Sequence, residues 1–133
     1  MVNQVVGSIA RSPIPSVGLT TPLTEVASIM AEQDIGAVVV TRDFEALGIV
    51  TESDIIEKMA QKVDFYGIVA QDIMTSPVIT IHHDRTIDDA LKIMKDNNLR
   101  RLVVVDEKSI LGLVTQRRLL LASFNEQNKN NST

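Results

Sequence analysis

Eight residues in the first half of the chain, Leu47-Gly48-Ile49-Val50-Thr51-Glu52-Ser53-Asp54, return sixty-four positions later as Leu111-Gly112-Leu113-Val114-Thr115-Gln116-Arg117-Arg118. At that one offset, with no gap, the match runs from Val6/Ala70 to Ile55/Leu119, and eleven of the fifty pairs are identical. Chance would supply about three at ordinary composition. Many other pairs exchange one apolar residue for another: Ile14/Val78, Val17/Ile81, Leu23/Ile87, Ile35/Leu99, Ile49/Leu113. Self-similarity at a fixed period marks a supersecondary unit that does not bury its apolar face alone. Two such units are expected to share one core.

Composition limits what that core can be. A chain of 133 residues is one compact domain's worth. Hydrophobic residues are 44% but aromatics only 3%, so the core is built from Val, Ile, Leu, Ala and Met. The net charge of −4 argues against a general nucleic-acid surface. No apolar run approaches the ~20 residues that span a bilayer. Met1 to Ala10 has neither a basic start nor a long apolar block, so no signal peptide is expected. The absence of cysteine removes disulfides, thiol catalysis and thiolate metal sites together. A cytoplasmic protein is the expectation.

Taken in order, Val5–Ala10 predicts a helical turn or two, and Arg11-Ser12-Pro13-Ile14-Pro15 an extended segment, because proline lacks the amide donor and extends its predecessor. A short strand follows near Val17. Leu23, Val26, Ala27 and Met30 fall at i, i+3, i+4, i+7, one helical face, with Pro22 in the first turn and Thr21 as cap. Ala37–Thr41 reads as a buried strand and Leu47–Thr51 as its hairpin partner. A helix over Ser53–Lys62 is predicted to turn Ile55, Ile56 and Met59 inward. Val63–Gly67 connects the halves. The second half repeats the plan: a short helix over Gln71–Met74, a strand over Val78–Ile81, a helix opened by Thr86-Ile87-Asp88-Asp89 as a capping box, a hairpin from Leu102–Val105 and Ile110–Thr115, and a helix over Gln116–Phe124. The predicted fold class is α/β (α+β): two β-α-β-β-α repeats packed through their sheets with pseudo-two-fold symmetry. The predicted domains are 1–66, 67–124 and a disordered polar tail, 125–133.

These features, matching twice in order, resemble a tandem of CBS domains, a Bateman module. The resemblance runs from Val6 to Ser123. It rests on Ser12-Pro13 and Ser76-Pro77, on helices ending in Ile29-Met30 and Ile93-Met94, on valine-rich strands, on Gly-x-Val-Thr at the last strand of each half, and on Leu99-Arg100-Arg101-Leu102-Val103-Val104-Val105-Asp106-Glu107. It implies a regulatory protein that binds an adenine nucleotide (AMP, ADP, ATP) or S-adenosylmethionine as ligand, with no cofactor, and that pairs as a homodimer. The repeats take up nearly the whole chain, so the regulated partner is expected to be another protein.

Thr51 and Asp54, on spacing alone, form a capping box at a helix start. An ionised carboxylate can also accept both hydroxyls of a ribose, and the resemblance implies that role for Asp54, with Thr51 nearby; the two roles can coexist. Arg100 and Arg101 either keep a hydrophobic strand edge soluble or bind phosphate through their guanidinium forks; the resemblance implies phosphate contact, Arg101 ahead of Arg100. It implies adenine contact for Thr75, Pro77, Val78 and Ile79, where the plain alternative is packing. It also implies that the acid of one half faces the entry segment and basic pair of the other, so that Asp54, Thr51, Thr75, Val78 and Arg101 would form one site. The mirror position is poor, since Arg118 replaces Asp54, and Gly36 and Ala37 replace the arginines. Arg117 and Arg118 could serve phosphate or a dimer contact instead, but read first as a solvated helix face.

His82-His83-Asp84 suggests a metal, but neighbouring side chains on an extended segment diverge, and a surface loop is the plainer reading; no metal site is expected. No catalytic constellation is present, so the chain is read as a non-enzyme. The alternatives are a ligand-independent dimerisation scaffold and a nucleic-acid binder built on Arg100, Arg101, Arg117 and Arg118, the latter opposed by the acidic balance.

Overall fold

A computed structural model describes residues 4–62, 64–107 and 109–131, with side chains to 125 apart from those gaps. The six strands are β1 (Ser16–Gly18), β2 (Ala37–Arg42), β3 (Glu45–Thr51), β4 (Thr80–His82), β5 (Arg101–Val105) and β6 (Ile110–Thr115). The helices are α1 (Leu23–Gln33), α2 (Glu52–Ala60), α3 (Ala70–Ile73), α4 (Ile87–Asn97) and α5 (Gln116–Asn131), with 3-10 turns at Val6–Ser8 and Phe65–Gly67. Each half forms a three-stranded mixed sheet: β1 runs parallel to β2 and β2 antiparallel to β3, and β4, β5 and β6 repeat that order.

The chain forms two compact units, and they are not the sequence repeats. One is Ile14–Val78; the other joins Met1–Pro13 to Ile79–Thr133. The N-terminal lead-in therefore belongs to the second sheet. Arg11 and Leu113 exchange backbone hydrogen bonds of 2.8 and 3.0 Å, the Ser12 hydroxyl donates to the Leu111 carbonyl at 2.7 Å, and Val6 and Ile9 sit in that unit's core. In the other unit, Thr75 and Ile49 exchange bonds of 2.9 and 3.1 Å, and Ala70, Ile68 and Ile73 join the core around Leu23, Val26 and Val50. Each unit has its own apolar cluster, and the crossed lead-in adds apolar residues to it.

The crossing also explains the glycine of the repeated motif. A Cβ at Gly112 would collide with the carbonyl oxygen of Arg11, and one at Gly48 would lie 2.6 Å from the Met74 sulfur. At Gly112 only a hydrogen side chain lets the lead-in backbone approach the last strand so closely, whereas at Gly48 the neighbour is the Met74 side chain. Helix ends repeat as well. Asp34 and Asn98, at matched positions, close α1 and α4 in the left-handed conformation (φ 49° and 53°), a region short polar residues tolerate.

Some details depart from the sequence reading. Pro22, not Thr21, occupies the N-cap of α1, and the Thr21 hydroxyl instead accepts the Gly18 amide at 3.0 Å. In α2 only Ile55 is buried; Ile56 and Met59 are each 62% exposed. Helix α5 continues to Asn131, into the stretch read as a disordered tail, because Asn125–Asn131 holds no Gly or Pro to stop it. Ser132 and Thr133, and Val63 in the connector, lie outside the described residues.

Candidate functional site

The first candidate group lies where β3 turns into α2. Thr51 is buried and Asp54 half-buried. The capping box is complete: the Asp54 amide donates to the Thr51 hydroxyl oxygen at 3.3 Å, and Asp54 Oδ2 accepts the Thr51 amide at 2.8 Å and its hydroxyl at 3.0 Å. Both bonds to the carboxylate fall on one oxygen, Oδ2. Among the described residues no hydrogen bond engages Oδ1. The cap therefore fixes the carboxylate and leaves one oxygen for a further donor.

The Ser-Pro segment runs beside this corner. Its backbone exchange with Ile49 sets Thr75 against β3, two residues ahead of Thr51. Thr75 and Pro77 are exposed and Val78 half-buried. Thr51, Asp54, Thr75, Pro77 and Val78 are thus members of one unit, while Ile79, Arg100 and Arg101 belong to the other. Ile79 packs against the core of its own unit, and its carbonyl accepts the Val103 amide at 3.1 Å, so the packing role weighed in the sequence is present there.

The second group is a groove of about 400 Å³ lined by Arg100, Arg101, Thr115, Gln116 and Arg117. The β5–β6 ladder builds it: Arg101 stands opposite Thr115, and the Gln116 amide donates to the Arg100 carbonyl at 2.8 Å. Arg117 then arrives from the first turn of α5. Sequence reasoning put Arg117 first on a solvated helix face, with phosphate or a dimer contact as the alternatives. It is exposed, but on the same groove as the basic pair, and the hairpin register was the signal that could have found it.

The profile of the CBS domain matches residues 6–61 and 69–125, most of the chain. The chain belongs to the CBS domain family. An uncharacterized protein of Methanopyrus kandleri is 36% identical over 118 residues, covering 86% of this chain and 60% of that protein. The chain spans only 60%, 39% and 54% of the first three curated relatives it matches. Among solved structures, a CBS domain protein of Pyrobaculum aerophilum in complex with AMP aligns at TM-score 0.72 and 28% identity, covering 89% of this chain and 96% of that one. A CBS domain pair solved with 5′-methylthioadenosine and S-adenosyl-L-methionine aligns at TM-score 0.75 and 24% identity, covering 95% of this chain and 99% of that one, and speaks for the fold.

The two CBS repeats are not equivalent at the capping corner. In the second, Thr115 still accepts the amide of residue 118 at 3.2 Å, but no carboxylate returns the bond. Arg118 folds back and donates through Nε to the Ile9 carbonyl, tying down the lead-in. It presents a donor where Asp54 presents an acceptor. On the other side of this unit, His82 Nδ1 and Asp84 Oδ1 are 2.6 Å apart, the two histidine rings are 4.5 Å apart, and a groove of about 260 Å³ is lined by His82, His83, Asp106 and Glu107. The hydrogen bond from His82 holds the Asp84 carboxyl below its ordinary value. Among the described residues no three His, Cys, Asp or Glu side chains gather as a metal site, and no helix is long and apolar enough to cross a membrane.

Proposed function

We propose that this CBS pair is a regulatory module that binds an adenine nucleotide, one per chain, and signals occupancy to another protein. The observation that carries the reading is Asp54: a half-buried carboxylate fixed through Oδ2, with Oδ1 unengaged among the described residues, beside the Thr75 segment. A ribose diol offers the two donors such a carboxylate accepts. In this reading Thr51 supports Asp54, Thr75, Pro77, Val78 and Ile79 border the adenine, and Arg100 and Arg101 take phosphate. The AMP complex of the Pyrobaculum relative supports the ligand class. The chain acts by binding, in the cytoplasm, and not by turnover.

The reading includes pairing of two copies. Its support is apolar surface that one chain leaves exposed: Ile56 and Met59 on α2, and Leu120, Leu121 and Phe124 on α5. Sedimentation of Met59→Glu and Leu121→Glu, each compared with the unsubstituted protein, tests it; unchanged mass in both would remove pairing from the account.

The nucleotide reading is tested by thermal unfolding with AMP, ADP and ATP, for the unsubstituted protein and Asp54→Asn. Ligand at 100 times its Kd stabilises by about 2.7 kcal/mol. The amide has one acceptor oxygen, which the cap engages, so it turns a donor towards the diol. Stabilisation in the unsubstituted protein and its loss in Asp54→Asn is the expected result. Equal stabilisation of both proteins removes Asp54 from the site. No response to any nucleotide favours the ligand-independent scaffold.

A further inference from the structure

We infer that the α1–α2 face of one copy takes the α4–α5 face of a second copy, groove against ridge, so that unlike repeats meet when two chains pair. The inference rests on the pairing reading above and deepens it by naming which surface of the second copy is the occupant. A groove of about 290 Å³ lies between α1 and α2, lined by Ala27, Met30, Ala31, Ile55 and Ile56 and by the carboxylates of Asp34 and Glu52. The sixty-four-residue offset carries Met30 to Met94, Ile55 to Leu119 and Ile56 to Leu120, so that much of the apolar lining is kept in the other repeat. The remaining four positions change. Ala27 and Ala31 become Leu91 and Lys95, and Asp34 and Glu52 become Asn98 and Gln116. Two small side chains open the groove on the first face, and larger ones stand at the same places on the second. There α5 also exposes Leu120 and Phe124, one turn apart, with Leu121 beside them.

Shape and charge together choose the occupant. Asp34, Glu52 and Lys95 are all exposed. Among the described residues neither Glu52 nor Lys95 forms an ion pair within the chain. Two α1–α2 faces brought together would oppose carboxylate to carboxylate and hollow to hollow. Two α4–α5 faces would oppose lysine to lysine and ridge to ridge. Groove against ridge sets the carboxylates beside an ammonium group and gives Leu120 and Phe124 an apolar hollow to enter. Opposite charges across an interface favour the right partner, and like charges reject the wrong one.

The test combines sedimentation and cross-linking of the full chain. Glu52→Lys and Lys95→Glu, each checked for folding by circular dichroism, should each raise the dissociation constant of the pair by about tenfold. The double variant keeps both local changes but restores opposite charges, and should return to within about threefold of the unsubstituted protein. The chain has no cysteine, so an introduced thiol reports alone. A mixture of Ala31→Cys and Leu120→Cys chains should form a two-chain product with a bismaleimide reagent, and neither variant should do so by itself. If each cysteine variant cross-links by itself and the mixture does no better, like faces meet; pairing then stands and this inference is overturned. It is overturned equally if neither charge reversal weakens association, or if both do and the double variant does not recover. If the unsubstituted protein sediments as a single chain at every concentration tried, the pairing reading itself fails and takes this inference with it.

Discussion

Replacing Gly112 by alanine tests the crossed lead-in on which both units depend. The added methyl would collide with the Arg11 carbonyl oxygen and lie 3.1 Å from its carbon. Both are backbone atoms, so no rotamer change relieves the contact. The lead-in must retreat by roughly an ångström to reach ordinary van der Waals separation. That carries the Arg11–Leu113 bonds, now 2.8 and 3.0 Å, and the Ser12–Leu111 bond, now 2.7 Å, out of hydrogen-bonding range. At about 1 kcal/mol net for each bond the loss is about 3 kcal/mol. Alanine recovers about 0.7 kcal/mol by restricting the unfolded chain. A net loss of about 2 kcal/mol should lower the melting temperature by about 8 °C in a chain of this size. Gly67→Ala is the matched control, because nothing lies within 4 Å of a Cβ built there. Melting is followed by far-ultraviolet circular dichroism. If Gly112→Ala melts within 2 °C of Gly67→Ala, the close approach of the lead-in to β6 is wrong.

Arg118→Met keeps the length of the side chain but loses its bond to the Ile9 carbonyl; the urea midpoint should fall by the equivalent of about 1 kcal/mol with an unchanged slope. Thr86→Ala breaks a capping box in which Thr86 Oγ1 accepts the Asp89 amide at 3.1 Å, and should cost about 1 kcal/mol in the same assay. The Asp89 carboxyl is held below its ordinary value of 3.8, first by the Arg85 hydrogen bond and then by the Thr86 amide. Its folded value is thus depressed, so its contribution is present above the unfolded value and is lost as pH falls through the folded one. The stability difference between the unsubstituted protein and Asp89→Asn should accordingly shrink only below about pH 4, and carboxyl NMR titration should place Asp89 below its ordinary value.

Much of this architecture was legible because local and tertiary demands agree. The i, i+3, i+4, i+7 spacing of Leu23, Val26, Ala27 and Met30 and the valine run at Val38–Val40 each admit one secondary structure that buries them. The Thr86–Asp89 box is a contact within four residues and needs no knowledge of the rest. What sequence could not supply was which element each lead-in joins. Ile9 is as apolar on one sheet as on the other, and only the backbone pairing of Arg11 with Leu113 decides. Ile56 and Met59 misled for a related reason. They continue an apolar helical pattern, but the single chain covers only the Ile55 side of α2. At the candidate site, the Thr51–Asp54 cap was read from spacing and the structure contains it. A phosphate role for Arg117 was weighed behind a solvated helix face, because its place beside Arg100 and Arg101 depends on hairpin register.

The measurement that bears most directly on the account is the number of nucleotides bound per chain, by calorimetry with the tightest-binding adenine nucleotide. The asymmetry between Asp54, which leaves an acceptor oxygen unengaged, and Arg118, which is spent on Ile9, predicts one per chain in the unsubstituted protein and none at the same concentrations in Asp54→Asn. Two per chain, or one that survives the substitution, would contradict it.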